Sequence, residues 1–173
     1  MAPLPARRRR QILDQLAGLA RRDLAALWEL SADAEDFAAE IADAYPTIVD
    51  SYVGVSAELA ATWFEDAAPD STYLAKIAPL PNEAQLRTSV EWALGAIGLD
   101  GLTRLEGSLQ RAVFDGARET TLLNVRETGA HWAREAEPDA CDYCQGLEGQ
   151  YASDADVFES HDHCQCMAVE VRT

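Results

Sequence analysis

The sequence predicts a mainly α-helical body with a small C-terminal appendage of β-strands and a zinc knuckle, and three observations predict it. Apolar residues recur at helical spacing from near the start of the chain to Val125. Past Gly129 the texture changes to short alternating runs that read as strands. The motifs Cys141-Asp142-Tyr143-Cys144 and His161-Asp162-His163-Cys164-Gln165-Cys166 that follow hold all four cysteines and two of the three histidines. The expected division is 1–128 for a body of about five helices and 129–173 for the Cys/His region. A chain of 173 residues suits one ordinary domain with an appendage. At that size it buries roughly 70% of its extended surface and needs no metal for its main core.

In chain order, Ile12, Leu16, Leu19, Leu27 and Leu30, widened by Leu13, Ala20 and Leu24, mark a long amphipathic helix from Arg8 to Leu30. Ser31-Ala32-Asp33 offers capping oxygens for a second helix through Phe37, Ile41 and Tyr45, which Pro46 ends or restarts. Ile48, Val49, Tyr52, Val53, Leu59, Ala60 and Trp63 mark a third, running to Asp66. Its small residues Gly54, Ser56, Ala57, Ala60 and Ala61 allow a neighbouring helix to approach closely. Trp28, Tyr52, Trp63 and Phe64 read as core. Ala67 to Pro81 contains three prolines and is the main irregular connection. Asn82 caps a fourth helix through Leu86, Val90, Leu94 and Ile97, closed by Gly98, Asp100 and Gly101. A fifth follows through Leu102, Leu105, Leu109, Val113 and Phe114, with a break or kink at Asp115-Gly116 and a helical extension over Thr120 to Val125. His131-Trp132-Ala133-Arg134 and Met167-Ala168-Val169-Glu170-Val171 alternate as strands.

A net charge of −16 argues against a general nucleic-acid binder, since a polyanion is repelled by most of such a surface. Locally, Arg7, Arg8, Arg9 and Arg10, followed by Arg21 and Arg22, make the first helix basic. They read as a solvated, partly frayed helix start, or else as a contact to DNA or to an acidic protein face. No apolar run approaches bilayer-spanning length, so the protein is expected to be soluble, with no membrane partner. The first residues run from Met1-Ala2-Pro3 straight into the arginines without an apolar leader core, which predicts synthesis in a reducing compartment. That favours metal-bound or free thiols over disulfides.

Zinc takes four ligands in a tetrahedron, and pairs spaced C-x2-C or H-x2-C bring two side chains from one tight turn to one ion. Cys141 with Cys144 is one such pair and His161 with Cys164 the other, separated by sixteen residues. His163 and Cys166 are the alternates: Cys166 in place of Cys164, and His163 beside the ligands. A thioredoxin-like redox pair needs its C-x2-C at a strand-to-helix junction of a βαβ unit, and nothing upstream supplies one.

Gly107-Ser108-Leu109-Gln110-Arg111, Arg118-Glu119-Thr120, His131-Trp132-Ala133-Arg134, the Cys141/Cys144 pair with Leu147, Gly149 and Tyr151, and the His161-x-His163-Cys164-x-Cys166 ending together resemble the minor head proteins of tailed bacteriophages related to the phage Mu F protein. The likeness is greatest to the form in phages of actinobacteria, whose gene follows the portal gene and is often labelled a capsid maturation protease. Ala61-Thr62-Trp63-Phe64 resembles a motif of the same family. The resemblance spans most of the chain, and its specific part is the Cys/His pattern. It implies a virion or prohead component acting with the portal and major capsid proteins in head assembly and in DNA ejection. It places the family's cysteine pair on Cys141 and Cys144 and its final motif on His161, Cys164 and Cys166. Many relatives carry a basic residue between the last two cysteines, where this chain has Gln165.

The protease label finds little chemistry in the residues themselves. There is no G-x-S-x-G elbow and no H-E-x-x-H helix, and of the three histidines two are more economically used as ligands. No catalytic residue is assigned. The alternative function, a maturation protease or metal-dependent hydrolase, would use His161 or His163 beside the metal.

Overall fold

The computed structural model describes residues 3–95, 99–154 and 158–171. Four helices, α1 (Ala6–Ser31), α2 (Phe37–Asp66), α3 (Glu83–Leu94) and α4 (Leu99–Thr128), are followed by β1 (His131–Glu135), a short α5 (Asp142–Gly146), β2 (Gly149–Tyr151) and β3 (Met167–Val171). The protein is thus mainly helical with a small antiparallel sheet at its C-terminal end, as the patterning predicts.

The first helix keeps its expected bounds but turns a different line inward. Leu13, Ala17, Ala20 and Leu24 are fully buried, whereas Leu19 and Leu30 are exposed. The alanines sit where α1 meets its neighbours, so close approach selects the small residues and leaves the larger leucines at the rim. The cap of the next helix also differs: Asp36, rather than Ser31 to Asp33, accepts from the Ala39 N–H at 3.0 Å.

Two predicted breaks do not occur. Pro46 lies inside α2, which runs unbroken to Asp66. An interior proline costs about 3 kcal/mol by removing one ladder bond and crowding the preceding turn. Ile41 and Tyr45 before it, and Val49 and Val53 after it, share one buried stripe. Each such side chain contributes about 1.5–3 kcal/mol on burial, so keeping the stripe in register outweighs the proline. Asp115-Gly116 likewise leaves α4 continuous. A Cβ at Gly116 would lie 2.6 Å from Ser56 Oγ and 3.0 Å from the Val53 carbonyl oxygen, so this glycine lets α4 cross α2. Ser56 belongs to that crossing as expected, while Gly54 has open space around it. Gly116→Ala is expected to destabilise the protein by about 1–3 kcal/mol by forcing the two backbones apart, read from urea midpoints.

Asp100 and Gly101 stand in the first turn of α4 instead of closing the helix before it; Ile97 and Gly98 lie outside the described residues. Gly101 is needed there because a Cβ would come 3.0 Å from the Ala93 carbonyl oxygen and 3.1 Å from Trp28. Asn82 caps α3 as predicted, with Gln85 completing a reciprocal capping box. Trp63 and Phe64 are buried, and Trp28 and Tyr52 are half-buried against the core that contains Trp63.

The irregular connection before α3 is pinned rather than loose. The Asn124 side chain accepts from the Lys76 N–H at 2.7 Å and donates to the Lys76 carbonyl at 2.8 Å, as a neighbouring strand would. Thr120 accepts from the Ala78 N–H at 3.1 Å.

The sheet has the order β2-β1-β3, all antiparallel. Ala133 pairs with Val169 and Glu135 with Met167, and this face lies on the helical core beside Leu105, Leu109 and Val113. Trp132 and Ala168 face a second cluster with Phe64, Val125, Phe158 and three of the cysteines.

The N-terminal arginines hold the helices to this sheet. Arg9 is buried; its guanidinium makes two 2.8 Å bonds to the Glu170 carboxylate, and its Nε donates to the Leu4 carbonyl. Arg10 donates to the carbonyls of Gln165 and Ala136. The helix start is therefore anchored, not frayed, and of the four arginines Arg7 and Arg8 are the exposed ones. Gln165 donates to Asp14 of α1 at 2.9 Å, so this position is used within the chain.

Candidate metal centre

The Cys/His motifs meet where two tight turns come together, the second packed along the middle of α4. In the first, Cys141 caps α5, and the N–H groups of Gln145 and Leu147 return to the carbonyls of Cys141 and Cys144. In the second, the Cys164 N–H donates to the His161 carbonyl at 3.0 Å, closing a turn in which His163 takes a left-handed conformation with φ 63°. Histidine adopts that conformation more readily than most residues.

The Cys141, Cys144 and His161 ligand atoms lie within 4.8 Å of one another, and so do those of Cys144, Cys164 and Cys166. Cys144 belongs to both groups. His161 Nε2 stands 3.2 Å from Cys144 Sγ and 3.6 Å from Cys141 Sγ, and the sulfurs of Cys144 and Cys164 are 4.0 Å apart. Ligand atoms around one tetrahedral zinc stand about 3.3–3.8 Å apart, given bonds of about 2.3 Å to sulfur and about 2.0 Å to nitrogen. Each group can therefore hold a metal ion, but Cys141, Cys144, His161 and Cys164 do not all lie within 4.8 Å of one another, so joining them at one ion needs the two turns to draw together. Cys144, Cys164 and Cys166 are buried, and Cys141 and His161 form the outer rim.

The surroundings orient these groups. His161 Nδ1–H donates to the Asp162 carbonyl oxygen at 2.8 Å, which turns Nε2 toward the sulfurs. Arg118, buried in α4, donates to the carbonyls of Cys166 and Cys164 at 2.9 and 2.8 Å and to Cys164 Sγ at 3.4 Å; its remaining nitrogen pairs with Asp115 at 2.6 Å. Asp115 also accepts from Ser160 at 3.0 Å, fixing the irregular segment that enters the second turn. The neighbouring Cys166 thiol, helped by the Arg118 charge, holds Cys164 down to about 4, while Cys166 is pushed up because its proton is committed to Cys164. Burial raises Cys144. Cys141 is lowered, first by the backbone N–H of Cys144.

His163, the other alternate, belongs to neither group. Its ring lies over Gly107 of α4, where a Cβ would come within 2.8 Å of Nε2. His163→Ala is accordingly expected to keep full metal content and lose less than about 1 kcal/mol of stability, whereas His161→Ala sheds metal; metal analysis of the two purified variants decides this.

Arg118, Arg134 and Phe158 received no role from the sequence, although both arginines stand in motifs that carry the family resemblance. The Phe158 ring lies 4.8 Å from the Arg118 guanidinium and 4.1 Å from that of Arg134. A signal was present: Arg118 falls four residues after Phe114 on the buried stripe of α4, and Arg134 alternates in phase with buried Trp132. Among the described residues, no helix is long and apolar enough to cross a membrane.

A family model described as VG15 protein matches residues 3–173. No curated protein and no solved structure matches the chain.

Proposed function

The chain belongs to the VG15 protein family, a phage-related family, and from that premise we propose that it is a minor head protein of a tailed bacteriophage. In this reading it acts with the portal and major capsid proteins in head assembly and in DNA ejection, and resides in the virion head near the portal. A zinc ion bound by Cys141, Cys144, His161 and Cys164 staples the last strand and its loop to the helical body. The observation that carries the structural role of the site is its donor set: Cys141, Cys144, His161 and Cys164 would supply four protein ligands, three of them sulfurs, and guanidinium groups donate to the buried Cys144 and Cys164, while Cys141 and His161 stand exposed at the rim. Closed, sulfur-rich sites of this type are structural, whereas catalytic zinc keeps an open position. Cys164 is preferred to Cys166 as fourth ligand because Arg118 donates to its sulfur. With Arg9 and Arg10 engaged inside the chain, a contact to viral DNA would fall to Arg7 and Arg8.

Quantitative mass spectrometry of proheads and mature particles of the source phage tests the assignment. The expected result is an intact chain in mature virions at a copy number tied to the portal ring. A chain found in proheads and lost or cut in mature particles, alongside a shortened major capsid protein, would replace this reading with the maturation protease.

A further inference from the structure

Arg134 is a buried cation that forms no ion pair with a carboxylate among the described residues. It is 4% exposed; one terminal nitrogen donates to the Glu159 carbonyl at 2.8 Å, the other to Cys144 Sγ at 3.3 Å, and its Nε has no partner. Arg118, the second guanidinium at the cluster, is already neutralised by Asp115 at 2.6 Å. Keeping a guanidinium out of water costs several kcal/mol unless an anion faces it. The groups facing Arg134 are the Phe158 ring and the sulfur of Cys144.

A divalent ion that displaces three thiol protons and takes one neutral imidazole leaves one net negative charge at the site. We infer that Arg134 is the counter-cation and positioning residue of the metal centre: its guanidinium balances that charge and holds Cys144 Sγ toward the ion. The inference rests on the metal reading above and deepens it. It also accounts for the position of Arg134 on β1, where register places it opposite Ala168 and its guanidinium reaches the first cysteine turn at Cys144. A site of four thiolates would carry a second negative charge with no free cation facing it among the described residues.

Zinc affinity, measured by competition with a colorimetric chelator, is compared in the wild-type chain, Arg134→Met and Arg134→Lys, with the thiolate charge-transfer band of the cobalt-loaded proteins as a second readout. Arg134→Met is expected to weaken zinc binding about 10–100-fold and to shift the cobalt band, while Arg134→Lys, which keeps the charge, stays within about threefold of wild type. Zinc binding by Arg134→Met within about twofold of wild type, with an unshifted band, overturns the inference and leaves Arg134 a packing residue. If Arg134→Met does not fold, Arg134→Lys decides: retained affinity supports the role, and a loss of about tenfold or more overturns it. A wild-type chain that binds neither zinc nor cobalt removes the metal site itself and this role with it.

Discussion

Replacing Cys144 with Ser is expected to abolish stoichiometric metal binding and to lower the melting temperature by about 8–16 °C, while Cys166→Ser is expected to retain the metal. Cys144 is the residue common to both ligand groups, so its loss leaves neither intact. The magnitude follows from linkage: a metal present at about a thousandfold over its dissociation constant adds about 4 kcal/mol, and a chain of this size shifts about 2–4 °C per kcal/mol. Far-UV circular dichroism should retain most of its helical signal, because the core of Leu13, Ile41, Val53, Leu109 and Phe114 is built from α1, α2 and α4. Calorimetry of the two variants with and without chelator supplies the test. Equal melting temperatures for wild type and Cys144→Ser would mean that the turns are held by packing alone.

Arg9→Ala is the second change with a large expected effect, a loss of about 3–5 kcal/mol, because it strands the Glu170 carboxylate in a site where that side chain is 4% exposed. The pair itself need not be net stabilising. The double replacement Arg9→Met with Glu170→Leu removes both charges and is expected to be neutral or to stabilise by about 1–4 kcal/mol. Urea unfolding of the single and double variants separates the two effects. A cost below about 1 kcal/mol for Arg9→Ala would indicate an ion pair that is hydrated in solution.

Much of the fold was legible because long amphipathic helices announce themselves by period. The bounds of α1, the capping of α3 by Asn82, and the alternation of β1 and β3 all follow from local chemistry. What was not legible depends on contacts distant in sequence. Pro46 and Gly116 are breakers by propensity. Only the buried stripe of α2 and the crossing at Ser56 show why the first is tolerated and the second required. The same limit hid Arg9: four consecutive arginines read as a solvated run, and the Glu170 that buries one of them stands on the last strand. At the site, cysteine spacing drew attention to residues that the fold does gather. It put His161 in the ligand set with His163 as an alternate; why one ring goes to the sulfurs and the other to Gly107 rests on the left-handed turn at His163, a backbone property that spacing does not show.

X-ray absorption at the zinc edge, on protein purified without added metal, tests the structural-knuckle account most directly. The account predicts one zinc per chain with three sulfur neighbours at about 2.3 Å and one nitrogen at about 2.0 Å. A metal-free chain with four titratable thiols and undiminished stability, or a zinc ringed by oxygen and nitrogen with an open position, would contradict it.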